Sequence, residues 1–262
     1  MRQKFSTLFT LLVGCLCGLI NGIIISLTKV VPFIVTLGTM TIFLGVGQIV
    51  SKESTVYADS KFIPQWVSDF CYTGSDSDRY LNFGLLPDIP YSVLLTILLA
   101  VLVALLLRYT VFGRNVFAVG SSESTARLCG VNVPLTTTCV YTLAGFFVAV
   151  GGLMYFANVK NGNPGDGMGK ELEIIAAVVL GGGSLSGGRG SILGTLVGAM
   201  IIAVIPSGCA QLSLPNTYTQ IFIGVIIIVA VVVDQLRHPA SNSGPSWLAR
   251  LRKVLNDFSK PK

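Results

Sequence analysis

Charge is scarce in this chain. Only 11% of its 262 residues are charged, against about 25% in soluble domains, which excludes a water-covered surface over most of its length. Histidine is rarer still: the single one, His238, sits in a basic tail, leaving no material for imidazole acid–base chemistry or a histidine metal centre. The six cysteines, Cys15, Cys17, Cys71, Cys129, Cys139 and Cys209, are scattered, mostly inside apolar runs, with no C-x-x-C pair. They read as small buried hydrophobes. The expectation is a protein that is not an enzyme and has no cofactor and no metal.

Apolar residues take the place of the missing charge, at 52% of the chain. Crossing about 30 Å of hydrocarbon takes roughly 20 residues, and such runs occur at 5–27, 32–50, 92–107, 136–157, 190–210 and 215–233, with a half-length piece at 172–183. The start, MRQKFSTLFTLLVGCLCGL, imitates a secretory leader, but its apolar run continues past Asn21 to Leu27 with no small-residue cleavage site, so it reads as a span. The fold class expected is an all-α, polytopic membrane bundle of about seven elements, one of them short and broken. It occupies 1–237 as one domain, ahead of a basic tail at 238–262.

Charge then assigns sides. Segment 51–91 carries Lys52, Lys61 and Arg79 against Glu53, Asp59, Asp69, Asp76, Asp78 and Asp88, a net of −3. Residues 108–132 carry Arg108, Arg114 and Arg127 against Glu123, and the tail from 234 onward carries six basic residues against two acids. The positive-inside bias puts the segment 108–134 and the C-terminus in the cytoplasm and 51–91 outside. The overall charge of +6 therefore reports orientation, and no nucleic-acid partner is expected. Alternation puts residue 1 outside, against the preference of Arg2 and Lys4. A chain that begins partway through a longer membrane protein explains the conflict; simple tolerance of two exposed charges is the plainer alternative.

Glycine is abundant and patterned. Gly14, Gly18 and Gly22 recur every four residues, as do Gly190, Gly194 and Gly198, spacing that lets helix backbones approach closely in lipid. Thr36, Thr39 and Thr41 supply hydroxyls in the span begun by Pro32; they either bond their own helix or line a polar path. Between the middle spans, FGRNVFAVGSSESTARLCGVNVP (112–134) places Phe117, Val119, Ala126, Leu128 and Val131 on the apolar side of one short helix flanked by Gly120 and Gly130, with Glu123 and Arg127 on the polar side. Such an element lies on the membrane or docks onto a partner, and its few basic residues favour docking.

The stretch ELEIIAAVVLGGGSLSGGRGSILGTLVG (171–198) holds two acids, an apolar run and eight glycines. A phosphate loop is excluded because Glu171 follows Gly169-Lys170 where Ser or Thr is required, and Pro164 takes the first glycine position. Glu171 and Glu173 suit the outer N-terminus of a half-length helix. Non-helical backbone at membrane depth survives only where protein or a water-filled cavity satisfies it, so Gly181 to Gly190 are expected inside the bundle, with Arg189 toward the cytoplasm.

Four blocks then carry a resemblance: NGIIISLTKVVPFIVTLGTMTI (21–42), FGRNVFAVGSSESTARLCGVNV (112–133), GKELEIIAAVVLGGGSLSGGRGSILGTLVGAMI (169–201) and TQIFIGVIIIVAVVVDQLR (219–237). The chain resembles the membrane permease subunits of ribose- and xylose-type ABC sugar importers. That resemblance implies a paired helical permease in the cytoplasmic membrane, joined to cytoplasmic ATPase subunits and an external sugar-binding protein, moving a monosaccharide by alternating access. It implies ATPase coupling at Gly113, Arg114, Glu123, Ser124, Thr125, Ala126, Arg127 and Gly130. Sugar hydroxyls need hydroxyl and amide partners, which makes Asn21, Thr36, Thr39 and Asn158 candidates for the path. Gly181, Gly182, Gly183, Gly187, Gly188, Gly190, Gly194 and Gly198 are expected to shape the broken helix and its packing. Members of that family carry a further glycine-rich stretch upstream of where this chain starts. Nucleosides and branched-chain amino acids are the alternative cargoes within the class. A secondary transporter without an ATPase is the rival outside it, disfavoured because the spans contain almost no charge, Asp234 and Arg237 lying at one end.

Overall fold

The computed structural model describes residues 2–57, 80–81, 89–185 and 187–237. Most of the segment 51–91 expected outside, the tail 238–262 and His238 lie outside the described residues. Among those described the protein is helical, with only two-residue strands between helices.

The helices are α1 (Arg2–Thr28), α2 (Pro32–Ser51), α3 (Tyr91–Tyr109), α4 (Val111–Ser121), α5 (Glu123–Leu128), α6 (Val133–Val159), α7 (Lys170–Leu180), α8 (Ile192–Gln211) and α9 (Asn216–Arg237). Five contain stretches long and apolar enough to cross a bilayer: Ser6–Thr28, Pro32–Ser51, Tyr91–Tyr109, Val133–Val159 and Ile192–Gln211. In α9 the apolar stretch Thr217–Val232 is shorter. With 11 residues, α7 is about 16 Å long and reaches only halfway.

Local chemistry sets the boundaries. Pro32 opens α2 at a position whose N–H has no helical partner to lose, and Lys52 ends it in the left-handed conformation at φ 53°. Asn132 caps α6 through Oδ1, which accepts from the Leu135 N–H at 3.1 Å, three residues ahead of the start expected from hydropathy. Ser191 caps α8 by accepting from the Gly194 N–H at 3.0 Å. The span expected at 190–210 thus begins at Ile192, and Gly190 lies in the preceding loop.

The chain divides into two compact units, Met1–Met168 and Gly169–Lys262. In the first, α1 and α6 run antiparallel in close contact. A Cβ on Gly14 would stand 2.5 Å from the Ala149 Cβ, one on Gly22 would stand 2.7 Å from the Thr138 Cα, and one on Gly18 would strike the Tyr141 carbonyl. Gly145 returns the contact from α6, its own missing Cβ leaving room for the Gly14 carbonyl. Higher up, Ala157 is fully buried against Leu95 and Met154, which joins α3 to α6. Strand β1 (Val56–Tyr57) pairs antiparallel with β4 (Asn161–Gly162), tying the segment after α2 to the end of α6; β2 (Tyr80–Leu81) pairs with β3 (Ile89–Pro90).

In the second unit α7 and α8 form a tight antiparallel hairpin closed by α9. Ala176, Ala177 and Ile202 are its buried core, with Leu180, Ile205, Ile226 and Ile227 packed around them. Elsewhere large apolar side chains point outward, Ile49, Leu193 and Val148 among them. In water such a surface is untenable; against lipid tails it is the expected one.

Candidate functional site

The segment between α3 and α6 is two helices, not the single one expected from its apolar pattern. Thr110 caps α4 by accepting from the Gly113 N–H at 3.2 Å while its own hydroxyl donates to the Leu106 carbonyl at 2.7 Å. At Ser122 the chain turns extended, with φ −161° and ψ 109°. Its Oγ accepts from the Thr125 N–H at 3.3 Å and lies 2.9 Å from the Thr125 hydroxyl. A serine hydroxyl competes with the backbone for such bonds, so it favours the cap over helix continuation. Gly120, expected as a flank, is inside α4.

Helix α5 ends in a Schellman motif. Gly130 takes φ 82°, its N–H bonds the Arg127 carbonyl at 3.0 Å, and the Val131 N–H bonds the Ala126 carbonyl at 3.0 Å. The spacing Ala126-x3-Gly130 is therefore a helix ending: glycine supplies the left-handed residue, and alanine accepts the longer bond.

Burial separates the candidate coupling residues into two kinds. Gly113 is buried, and a Cβ there would collide with the Leu107 carbonyl, so α4 folds tightly back on the end of α3. Ala126 is buried at 3% exposure. Arg114, Glu123, Ser124, Thr125, Arg127 and Gly130 are exposed. Two small residues anchor the segment, and the polar ones face outward. Arg127 donates to Glu123 at 2.7 Å across one helical turn. Leu128, placed on the apolar side from sequence, is 89% exposed instead, because the break at Ser122 rotates α5 relative to α4.

The four candidates for a transport path do not converge. Thr36 Oγ1 donates to the Pro32 and Phe33 carbonyls at 3.1 Å, and Thr39 Oγ1 donates to the Thr36 carbonyl at 3.1 Å. These hydroxyls serve their own helix. Asn158 is exposed near the end of α6, with Nδ2 donating to the Met154 carbonyl at 2.8 Å. Asn21 adjoins Gly22, which meets Thr138 near the opposite end of α6, so the two asparagines stand about 28 Å apart along the helix axes. Among the four, Asn21 alone presents a buried Oδ1 with no hydrogen-bond partner among the described residues.

The glycines from 181 to 198 play different parts. A Cβ on Gly181 or Gly194 would overlap the other's backbone, and one on Gly198 would strike the Ala177 carbonyl. Gly182, Gly187 and Gly188 have φ of 84°, 90° and 72°. Gly183 leaves 2.6 Å between its missing Cβ and Val178 Cγ1, whereas at Gly190 the nearest atom is 3.7 Å away. Gly182 and Gly183 end α7 in a second Schellman motif, their N–H groups bonding the Val179 and Val178 carbonyls at 2.9 Å. Ser184 then bonds Arg189 main chain to main chain at 3.1 Å, closing the loop on itself. Gly145 and Ala149 escaped the sequence reading, although their four-residue spacing is the same small-x-x-x-small signal used for Gly14 and Gly18.

A helical, lipid-facing scaffold with a capped segment between its middle spans matches a known group. Residues 3–231 match the family described as the permease component of branched-chain amino acid transport systems. The chain belongs to that permease family. It is 38% identical over 224 residues to the fructose import permease protein of Rhizobium meliloti, covering 85% of this chain and 60% of that protein. It is 35% identical over 215 residues to the ribose import permease protein of Bacillus subtilis, covering 82% and 63%. The galactose/methyl galactoside import permease protein of Escherichia coli is 35% identical over 230 residues, 86% of this chain and 65% of that one. The chain spans about three-fifths of the length of these curated relatives. No solved structure matches it. Family membership and five helices long and apolar enough to cross a bilayer make the chain a multi-pass protein of the cytoplasmic (inner) membrane.

Proposed function

We propose that the chain is the membrane-spanning part of an ABC importer for a monosaccharide, driven by a separate ATPase through the α4–α5 segment and supplied by an external sugar-binding protein. The observation that carries this reading is the similarity to import permeases named for ribose, fructose and galactose. Ribose is the first cargo to test, on the resemblance of the four sequence blocks, with galactose beside it, since relatives in three organisms are named for each. The basic character of 108–134 supports a cytoplasmic position for α4–α5, and a second permease copy or sister subunit completes the channel. In alternating access, closure of the ATPases pushes on the exposed polar face of α4–α5. The buried Gly113 and Ala126 pass that push to α3 and α6, and α6 carries α1 with it through the glycine contact. Asn21, on that moving pair, is the candidate to meet cargo.

Deleting the gene in its own host and measuring uptake of labelled ribose, fructose, galactose and leucine tests the cargo. Loss of sugar uptake with leucine uptake intact is expected; loss of leucine uptake alone overturns the sugar reading in favour of branched-chain amino acids. For the coupling role, Arg127→Glu combined with Ala126→Glu is expected to abolish uptake while the protein remains in the membrane. Full uptake by that variant overturns it. A secondary transporter would need ionisable groups inside the spans; within the five long spans the described acids and bases are confined to helix ends.

A further inference from the structure

A cleft of about 340 Å³ opens where the α1–α2 turn, the α4–α5 segment and the start of α6 meet. Its wall is mostly aliphatic, with Ile25, Val119, Val133 and Pro134 among the lining residues. Two cations, Lys29 and Arg127, and one acid, Glu123, share it, with the hydroxyl-bearing Ser26 and Thr137 between. Arg127 holds Glu123 at 2.7 Å, so that pair is internally neutral. Lys29 is exposed at the end of α1 with φ 52°, and among the described residues that line the cleft the one acid is Glu123, which Arg127 already holds. The cleft therefore combines an apolar wall with one net positive charge, at the end of the helices where hydrocarbon gives way to water.

We propose that this cleft binds the phosphate headgroup of an anionic phospholipid from the cytoplasmic leaflet, with Lys29 as the main contact and the acyl chains lying against the aliphatic wall. A free phosphate offers the same charge, but it has no use for Ile25, Val119, Val133 and Pro134, whereas a lipid buries them. The volume lies at the small end of ligand sites and suits a headgroup whose chains stay in the bilayer. Basic pockets between spanning helices on the cytoplasmic side are a recognised lipid geometry. A lipid seated here touches the α1–α2 turn, α5 and α6 together, so its occupancy biases the segment through which the ATPase is proposed to act. The cytoplasmic assignment and that last consequence rest on the importer reading; the binding itself does not.

Native mass spectrometry of the detergent-purified protein, with phosphatidylglycerol or phosphatidylcholine added, reads lipid retention directly. Retention of phosphatidylglycerol over phosphatidylcholine is expected. Lys29→Gln should weaken it about fivefold, the factor for one basic residue at an anionic surface, and Lys29→Glu further, while Lys29→Arg preserves it. Val119→Trp, which fills the cleft and leaves the charge in place, should also displace the lipid. Equal retention of both lipids, or retention unchanged in Lys29→Glu and Val119→Trp, overturns the proposal. Displacement by millimolar inorganic phosphate assigns the site to a soluble anion and overturns it too. None of these readouts uses sugar uptake, so failure of the transport reading and failure of the lipid site are separately visible.

Discussion

The α1–α6 pair and the α7–α8 hairpin are both held together by glycine, for different physical reasons. In α1–α6 the glycines sit inside regular helices, and their value is the missing Cβ: Gly14, Gly18 and Gly22 admit the backbone of the opposite helix. In α7–α8 only Gly181, Gly194 and Gly198 do this. Gly182, Gly187 and Gly188 are there for backbone angles that an L-residue adopts at a cost. A straight pair needs space alone, whereas a chain that reverses needs space and left-handed residues together. The backbone groups freed at the reversal also need hydrogen-bond partners. The Schellman bonds at Gly182 and Gly183 and the Ser184–Arg189 bond provide them.

Substitutions separate the two roles, from the largest effect down. Gly18→Leu should disrupt α1–α6 packing, lowering stability by about 3 kcal/mol or more and abolishing the folded transition in detergent thermal melts; an unshifted melt refutes the close contact. Gly198→Ala should cost about 1–3 kcal/mol through its clash with the Ala177 carbonyl, in the same assay. Gly182→Ala, with open space around it but φ 84°, should cost about 1–2 kcal/mol, and Gly182→Asn should recover part of that because asparagine tolerates the left-handed region. Gly182→Leu or Gly188→Leu should block transport or assembly, and indifference to both breaks the distinction between the two regions. Gly190→Ala and Glu123→Gln should each shift stability by no more than about 0.5 kcal/mol, the first because its Cβ has room, the second because both partners of its ion pair are exposed.

Much of the fold was legible without coordinates. Long apolar runs with few charges mark helices in lipid, and the boundaries moved by only a few residues, where caps such as Asn132 and Ser191 outrank hydropathy. The candidate coupling segment was legible in outline only. Periodicity merged α4 and α5 because a serine hydroxyl turning back to cap a helix leaves no trace in an apolar pattern, and so Leu128 was put on the wrong face. The transport path was the least legible. Thr36, Thr39, Asn21 and Asn158 were grouped by chemistry alone, and a hydroxyl's choice of its own i−3 or i−4 carbonyl over a solute depends on the helix around it.

What the sequence determined by itself is the class: a charge-poor, glycine-patterned chain of spanning helices, ordered as in a sugar permease, because hydropathy and residue type act locally along the chain. What the tertiary structure alone decided is which glycines meet which backbones, that Gly145 answers Gly14 and Gly18, and that Lys29 shares a cleft with residues about one hundred positions later. Those facts depend on the antiparallel register of α1 against α6. No local pattern encodes that register; it follows from where two helices first find a pair of surfaces small enough to touch.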